Sequence, residues 1–124
     1  MSLQQTLKRK ISYFGREFYG GNNVEVVVEP ADENTGIVFL TTKGEVKADI
    51  RNARQSRSSI MLQSGNAKII HVEHFLATLY AYGIDNAFVS ARRIPSRSYR
   101  LLKALNIATD IDVIPTCSDR ELTL

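Results

Sequence analysis

His71-Val72-Glu73-His74 is the segment of this 124-residue chain best equipped for chemistry. A neutral imidazole nitrogen is a common zinc ligand. A carboxylate that stays off the metal can take a proton from attacking water and return it to a leaving amine. Helical spacing puts Glu73 and His74 about 100° apart around an axis, at an N-terminal end where both can reach one ligand. Such a division of labour would suit metal-assisted hydrolysis, although from the dipeptide alone a metal is the less favoured reading. Glu-His is also a frequent dipeptide, and a single histidine is more often an ordinary hydrogen-bonded residue. His71 shares a helical face with His74 and could hold the same ion, although at the start of the helical pattern a cap or a solvent-facing ring is the simpler reading. A catalytic zinc takes about three protein ligands and keeps one open position. The chain has two histidines, and neither is followed four residues later by a carboxylate. The segment therefore supplies part of a zinc hydrolase site.

The element that must carry this site is a helix over His71 to Gly83, where Val72, Phe75, Leu76 and Leu79 fall at i, i+3, i+4, i+7 spacing and Gly83 suits a terminator. One arc of its surface (Phe75, Leu79, Val72, Leu76, Tyr80) is expected to pack on a sheet. The opposite arc (Glu73, Ala77, Ala81, His74, Thr78, His71) holds one carboxylate and none of the Lys or Arg that usually solvate an outward face. Such an arc is either a quiet surface or one that another domain, chain or substrate covers.

Before the helix the chain reads as β. Strands are expected over Gln4 to Ser12 and Asn23 to Glu29, the latter alternating until Pro30. Further strands are expected from Gly36 through Thr42, Glu45 to Ile50 and Ser58 to Gln63. Ala31 to Gly36 has turn chemistry and suggests a hairpin with a longish loop, and Lys43-Gly44 and Ser64-Gly65-Asn66 are further turns. After the first helix come a short strand over Asn86 to Ala91, a helix start at Pro95-Ser96, and a second helix over Ser98 to Asn106. Its dry side is Leu101, Leu102 and Leu105, and its wet side Arg97, Arg100 and Lys103. The stretch after Pro115 reads as a ragged end. The expected fold is α+β, one mixed, mostly antiparallel sheet with two helices packed on one face, spanning residues 1–124 as a single domain.

Bulk properties bound the function. A hydrophobic fraction of 44% is ordinary for a globular chain, and no apolar run approaches the roughly 20 residues a membrane helix needs. The N-terminus has no signal-peptide pattern, and a single cysteine, Cys117, cannot form an internal disulfide. The expected compartment is the cytoplasm. A net charge of +3 is mild. The arginines cluster as Arg51, Arg54, Arg57 and as Arg92, Arg93, Arg97, Arg100. They lack the interleaved aromatics of a stacking platform, so a solvated basic surface is preferred to nucleic-acid binding.

Val72-Glu73-His74-Phe75-Leu76-Ala77-Thr78-Leu79 followed by Gly83-Ile84-Asp85-Asn86 resembles the T-V-E-H-L-x-A-A-L-x-G-x-G-I-D-N signature of bacterial UDP-3-O-acyl-N-acetylglucosamine deacetylase, the zinc amidase of lipid A synthesis. Gln5-Thr6-Leu7-Lys8-Arg9 is similar to that family's opening Q-R-T-L-K. Glu29-Pro30-Ala31 and Asn34-Thr35-Gly36-Ile37 are similar to its R-P-A and N-T-G-I. The resemblance implies a body of two similar domains, each a sheet with two helices of the ribosomal S5 domain 2-like kind, with the helices between the sheets and the site at the junction. It covers the first domain only. It implies His74 as the zinc ligand and Glu73 as the base contributed by this half. The remaining ligands, in an H-x-x-x-D pattern, and the catalytic lysine belong to a second half with no counterpart here. The chain departs from the pattern at Tyr19, where the family has histidine, at His71 for threonine, and at Ser96-Arg97-Ser98, a shortened M-D-G-S-A loop.

Three readings follow. In the first, the chain is a deacetylase-family domain for a UDP-sugar lipid substrate, inactive alone and completed by a second deacetylase-like domain. In the second, it is a non-catalytic relative that forms a homodimer or binds a protein through the uncharged helical arc. In the third and least favoured, the arginines bind anions or nucleic acid.

Overall fold

A computed structural model of the chain describes residues 3–16, 23–55, 60–70, 72–92, 99–100 and 113–119. Eleven strands and one α-helix are present among them, in the order β1 (Leu3–Leu7), β2 (Ile11–Arg16), β3 (Asn23–Pro30), β4 (Ile37–Thr41), β5 (Gly44–Lys47), β6 (Ala53–Gln55), β7 (Ile60–Ser64), β8 (Ala67–Ile70), α1 (Glu73–Ala81), β9 (Ala87–Arg92), β10 (Tyr99–Arg100) and β11 (Val113–Asp119). A 3-10 turn, Ile50–Asn52, leads into β6.

The α+β class holds, and the single sheet does not. The strands form three sheets, ordered β2-β3-β9-β4-β5, β10-β8-β7-β6 and β1-β11. The stretch from Gln4 to Ser12 is two strands rather than one, broken at the exposed cationic run Lys8-Arg9-Lys10. The tail expected to be ragged after Pro115 is strand as far as Asp119, because β11 pairs antiparallel with β1 over Leu3 to Leu7, and residues 120–124 lie outside the described residues. β3 and β4 are not a hairpin. β9 lies between them, antiparallel to β3 and parallel to β4, because the loop joining β3 to β4 is pinned to the start of β9 as described below. The predicted second helix, Ser98 to Asn106, gives way at its start to β10, whose Tyr99 and Arg100 pair with Ile69 and Ile70 of β8. Its remainder lies outside the described residues.

The core follows strand alternation. Ile11, Val28, Val89, Phe39 and Val46 are in register across the five-stranded sheet and share one face. α1 packs on that face through Val72, Phe75 and Leu79, all buried, with the Phe39 and Phe75 rings tilted at 58° and 6.3 Å apart. Leu62, Ala67 and Ile69 of the second sheet join the same cluster. Tyr80, expected in the packed arc, is 73% exposed. It lies about 140° round the axis from Phe75, beyond the roughly 100° stripe that a surface helix buries.

α1 ends in a Schellman motif. Gly83 takes a positive φ of 73°, its N–H donates to Tyr80 O at 2.9 Å, and the Ile84 N–H reaches back to Leu79 O at 3.0 Å. The buried Ile84 side chain then sits with Leu79 in the core. The helix begins at Glu73, not His71, because the strand pairing of β8 occupies the chain through Ile70.

A buried knot of amides closes the fold. Asn86, 1% exposed, accepts from the Gly36 N–H through Oδ1 at 2.9 Å and donates through Nδ2 to Gln4 Oε1 at 2.9 Å. Gln4 returns Nε2 to Asn34 Oδ1 at 2.8 Å, and its Oε1 also accepts the Asn34 N–H. Thr6 Oγ1 donates to Asn86 O at 2.6 Å and accepts the Ala31 N–H. Asp85 and the Gln5 backbone exchange two further bonds. Thus β1, the loop between β3 and β4, and the start of β9 meet at one point. Asn34 and Gly36 reach it with φ of 64° and 73°, a region open to Gly and tolerated by Asn.

At the 3-10 turn, Asp49 accepts from the Arg51 N–H and takes a two-point contact from the Arg51 guanidinium, with Nη2 to Oδ2 at 2.7 Å. The side-chain bond from Arg51, and then its backbone N–H, lower the Asp49 pKa from 3.8 to about 2.

Two outcomes test this account. Asn86→Ala strands the Gly36 N–H and removes one of the two hydrogen bonds to Gln4 Oε1, and should cost about 2–4 kcal/mol in urea unfolding. Asp49 has a depressed pKa in the folded chain, so its contribution is present above the ordinary carboxylate value and lost as pH falls through about 2. Carbon-detected NMR should find its carboxyl titrating there, and Arg51→Ala should return the midpoint towards 3.8.

Candidate functional site

Glu73 and His74 are the first two residues of α1. The Glu73 carboxylate suits that place, since the free N–H groups and positive dipole end of a helix favour an anion in its first turn. The helix has no side-chain cap at Val72, so Glu73 is also the first polar side chain the helix offers. It is half-buried, and its Oε1 accepts a hydrogen bond from the Ile60 N–H at the start of β7. Sequence reading missed this partner, because Ile60 is brought there by strand register and not by any motif. His74 follows in the same turn, and His71 lies outside the described residues, as does Tyr19.

Of the outward arc, His71 and the His74 side chain lie outside the described residues. Ala77 and Ala81 are exposed, Glu73 and Thr78 are half-buried, and Tyr80 adds an aromatic ring to this outward side. Small residues here leave the helix backbone open to close approach.

Zinc, the cofactor implied by the resemblance, needs several converging donors. Among the described residues, no group of three or more His, Cys, Asp or Glu could hold a metal ion. The described donors therefore do not fit a complete zinc site, and Glu73 has one oxygen already engaged by backbone.

Elsewhere, an open cleft of about 520 Å³ is lined by Thr35, Val38, Glu45, Lys47, Asn52, Ser64 and Phe88. Val38 and Phe88 alternate with Phe39 and Val89 along their strands, so they face away from α1, and the cleft is separate from Glu73. Two of the clustered arginine side chains are described. Arg51 is paired with Asp49, and Arg54 donates to the carbonyls of Arg51 and Ala53. Arg57, Arg93 and Arg97 lie outside the described residues. No helix among the described residues is long and apolar enough to cross a membrane.

Comparison with known proteins bears on this arrangement directly. The family model LpxC, UDP-3-O-acyl N-acetylglycosamine deacetylase, matches residues 4–95. Relatives named UDP-3-O-acyl-N-acetylglucosamine deacetylase include one from Geotalea uraniireducens, 34% identical over 93 residues that make up 72% of this chain and 30% of that protein. One from Chlamydia trachomatis serovar L2 is 37% identical over 97 residues, 74% of this chain and 34% of its own length. A Chlamydia felis relative is 33% identical over 123 residues, 90% of this chain and 44% of that protein. The chain spans less than half the length of these relatives. The matched segment contains the amide knot, the whole of α1 and the Glu73-His74 pair, and on that match the chain belongs to the UDP-3-O-acyl N-acetylglycosamine deacetylase family.

Proposed function

We propose that the chain is a domain of a UDP-3-O-acyl-N-acetylglucosamine deacetylase of lipid A synthesis, and that it contributes Glu73 and His74 to a hydrolytic site completed by another body. The observation that carries this reading is the placement of both residues in the first turn of α1, on a helix whose outward arc is small and uncharged. His74 is the one zinc ligand the domain offers, and the other donors come from a second deacetylase-like domain or from a second chain. A metal bound there supplies Lewis acidity towards an amide carbonyl. Glu73 acts as general base, taking a proton from the water that attacks the N-acetyl group and returning it to the leaving amine. Ala77 and Ala81 let the completing body approach closely. The domain by itself is inactive.

A second reading rests on the exposed Ala77, Tyr80 and Ala81. In it the chain is a non-catalytic relative that stacks on a copy of itself across α1. Light scattering separates the two, since a dimer that Ala77→Glu splits supports self-association, and a monomer indifferent to that substitution removes it.

Zinc titration of the purified chain should show binding above background that weakens at least about tenfold in His74→Ala and persists in Glu73→Gln. Zinc at background in the unsubstituted chain would remove the half-site. Incubated with UDP-3-O-acyl-N-acetylglucosamine, the chain alone should release no acetate, and release by the lone chain would overturn the shared site.

A further inference from the structure

We propose that the backbone N–H of Ile60 is a positioning donor for Glu73, selecting which carboxylate oxygen the base presents. The proposal rests on the reading of Glu73 as general base. It arises from the way β7 and β8 end. Their antiparallel ladder runs from Ser64 against Ala67 to Met61 against Ile70, so Ile60 stands one residue past the last pair. On the other side the chain has already turned through Val72 into α1. Past that last pair, Glu73 Oε1 accepts the Ile60 N–H.

Each group gains from the contact. The exposed Ile60 N–H exchanges water for a protein acceptor, and a carboxylate accepting from backbone makes a charge-assisted bond. The consequence for chemistry is directional. A general base must lie within hydrogen-bond reach of the proton it takes, and a free glutamate side chain samples many rotamers. With Oε1 anchored to the second sheet, Oε2 is the oxygen left to work, and its position is set jointly by α1 and β7. Ile60 therefore acts through Glu73 and touches no substrate.

The test uses NMR on the intact chain. Glu73→Ala should speed amide exchange at Ile60 by about tenfold or more while leaving Leu62 and Ile69 protected. Glu73→Gln, which keeps an acceptor oxygen, should restore most of the protection. Ile60→Pro removes the donor at the first residue of a strand, where proline is tolerated. It should lower the order parameter of the Glu73 side chain, and Ile60→Ala, which keeps the N–H, should not. Protection at Leu62 and Ile69 reports whether the proline variant is folded; where it is not, the Glu73 pair decides. Exchange at Ile60 unchanged by Glu73→Ala, or a Glu73 side chain as ordered in folded Ile60→Pro as in the unsubstituted chain, would overturn the proposal. None of these readouts needs metal or substrate. A chain without zinc affinity loses the half-site yet keeps the anchor, and a chain that binds zinc with a freely moving Glu73 loses the anchor alone.

Discussion

The fold depends on a few amide groups that have been taken out of water together. Gln4 and Asn86 are buried, and a buried amide without partners costs more than a made hydrogen bond returns. Each is therefore useful only if the others are in place. Gln4 binds Asn34 and Asn86, and Asn86 binds Gln4 and the Gly36 backbone. This all-or-none character gives the knot its role. It ties β1 to two segments that lie 30 and 82 residues further along the chain. It also forces β9 in beside β4, where Ala87 pairs with Ile37.

That insertion determines where α1 can lie. The connection from β8 to β9 contains α1 and ends at Asp85-Asn86, which the knot holds. The Schellman turn at Gly83 fixes the approach to that end, and Phe75 against Phe39 fixes the face. The start of α1 is then left at the end of the β7–β8 ladder, beside Ile60. Glu73 is thus placed by constraints at both ends of the helix, although it makes none of the core contacts.

Local signals reveal α1 well and the sheets poorly, for a physical reason. The spacing of Val72, Phe75 and Leu79 and the glycine at 83 are properties of one short segment, and the structure keeps them with a start two residues later. β6, β8 and β10 are two to four residues long, too short to show alternation, and they are strands because a partner lies alongside. β11 is longer but was hidden for the same reason, since its register comes from β1. Counting one sheet and a β3–β4 hairpin follows from assuming that neighbours in sequence pair, and β9 breaks that assumption from more than 45 residues away. Glu73 and His74 stand out in the sequence because their types and spacing suit chemistry, and the structure puts both in the first turn of α1. The Ile60 partner does not, because any residue other than proline at that position would present the same N–H.

The motifs that resemble the deacetylase family divide accordingly. Thr6, Asn34, Gly36, Asp85 and Asn86 all make bonds in or beside the knot, and Gly83 ends the helix. These residues build the frame and have no evident part in hydrolysis. Val72 of the V-E-H triplet is likewise core. Membership of the family therefore accounts for the frame in detail, and the proposed chemistry rests on two adjacent residues. A carboxylate with one oxygen held by Ile60 and a neighbouring histidine can orient water and offer a ligand, but they cannot surround an ion. Under the proposed reading, further donors would have to come from the outward side of α1, where Ala77 and Ala81 are exposed.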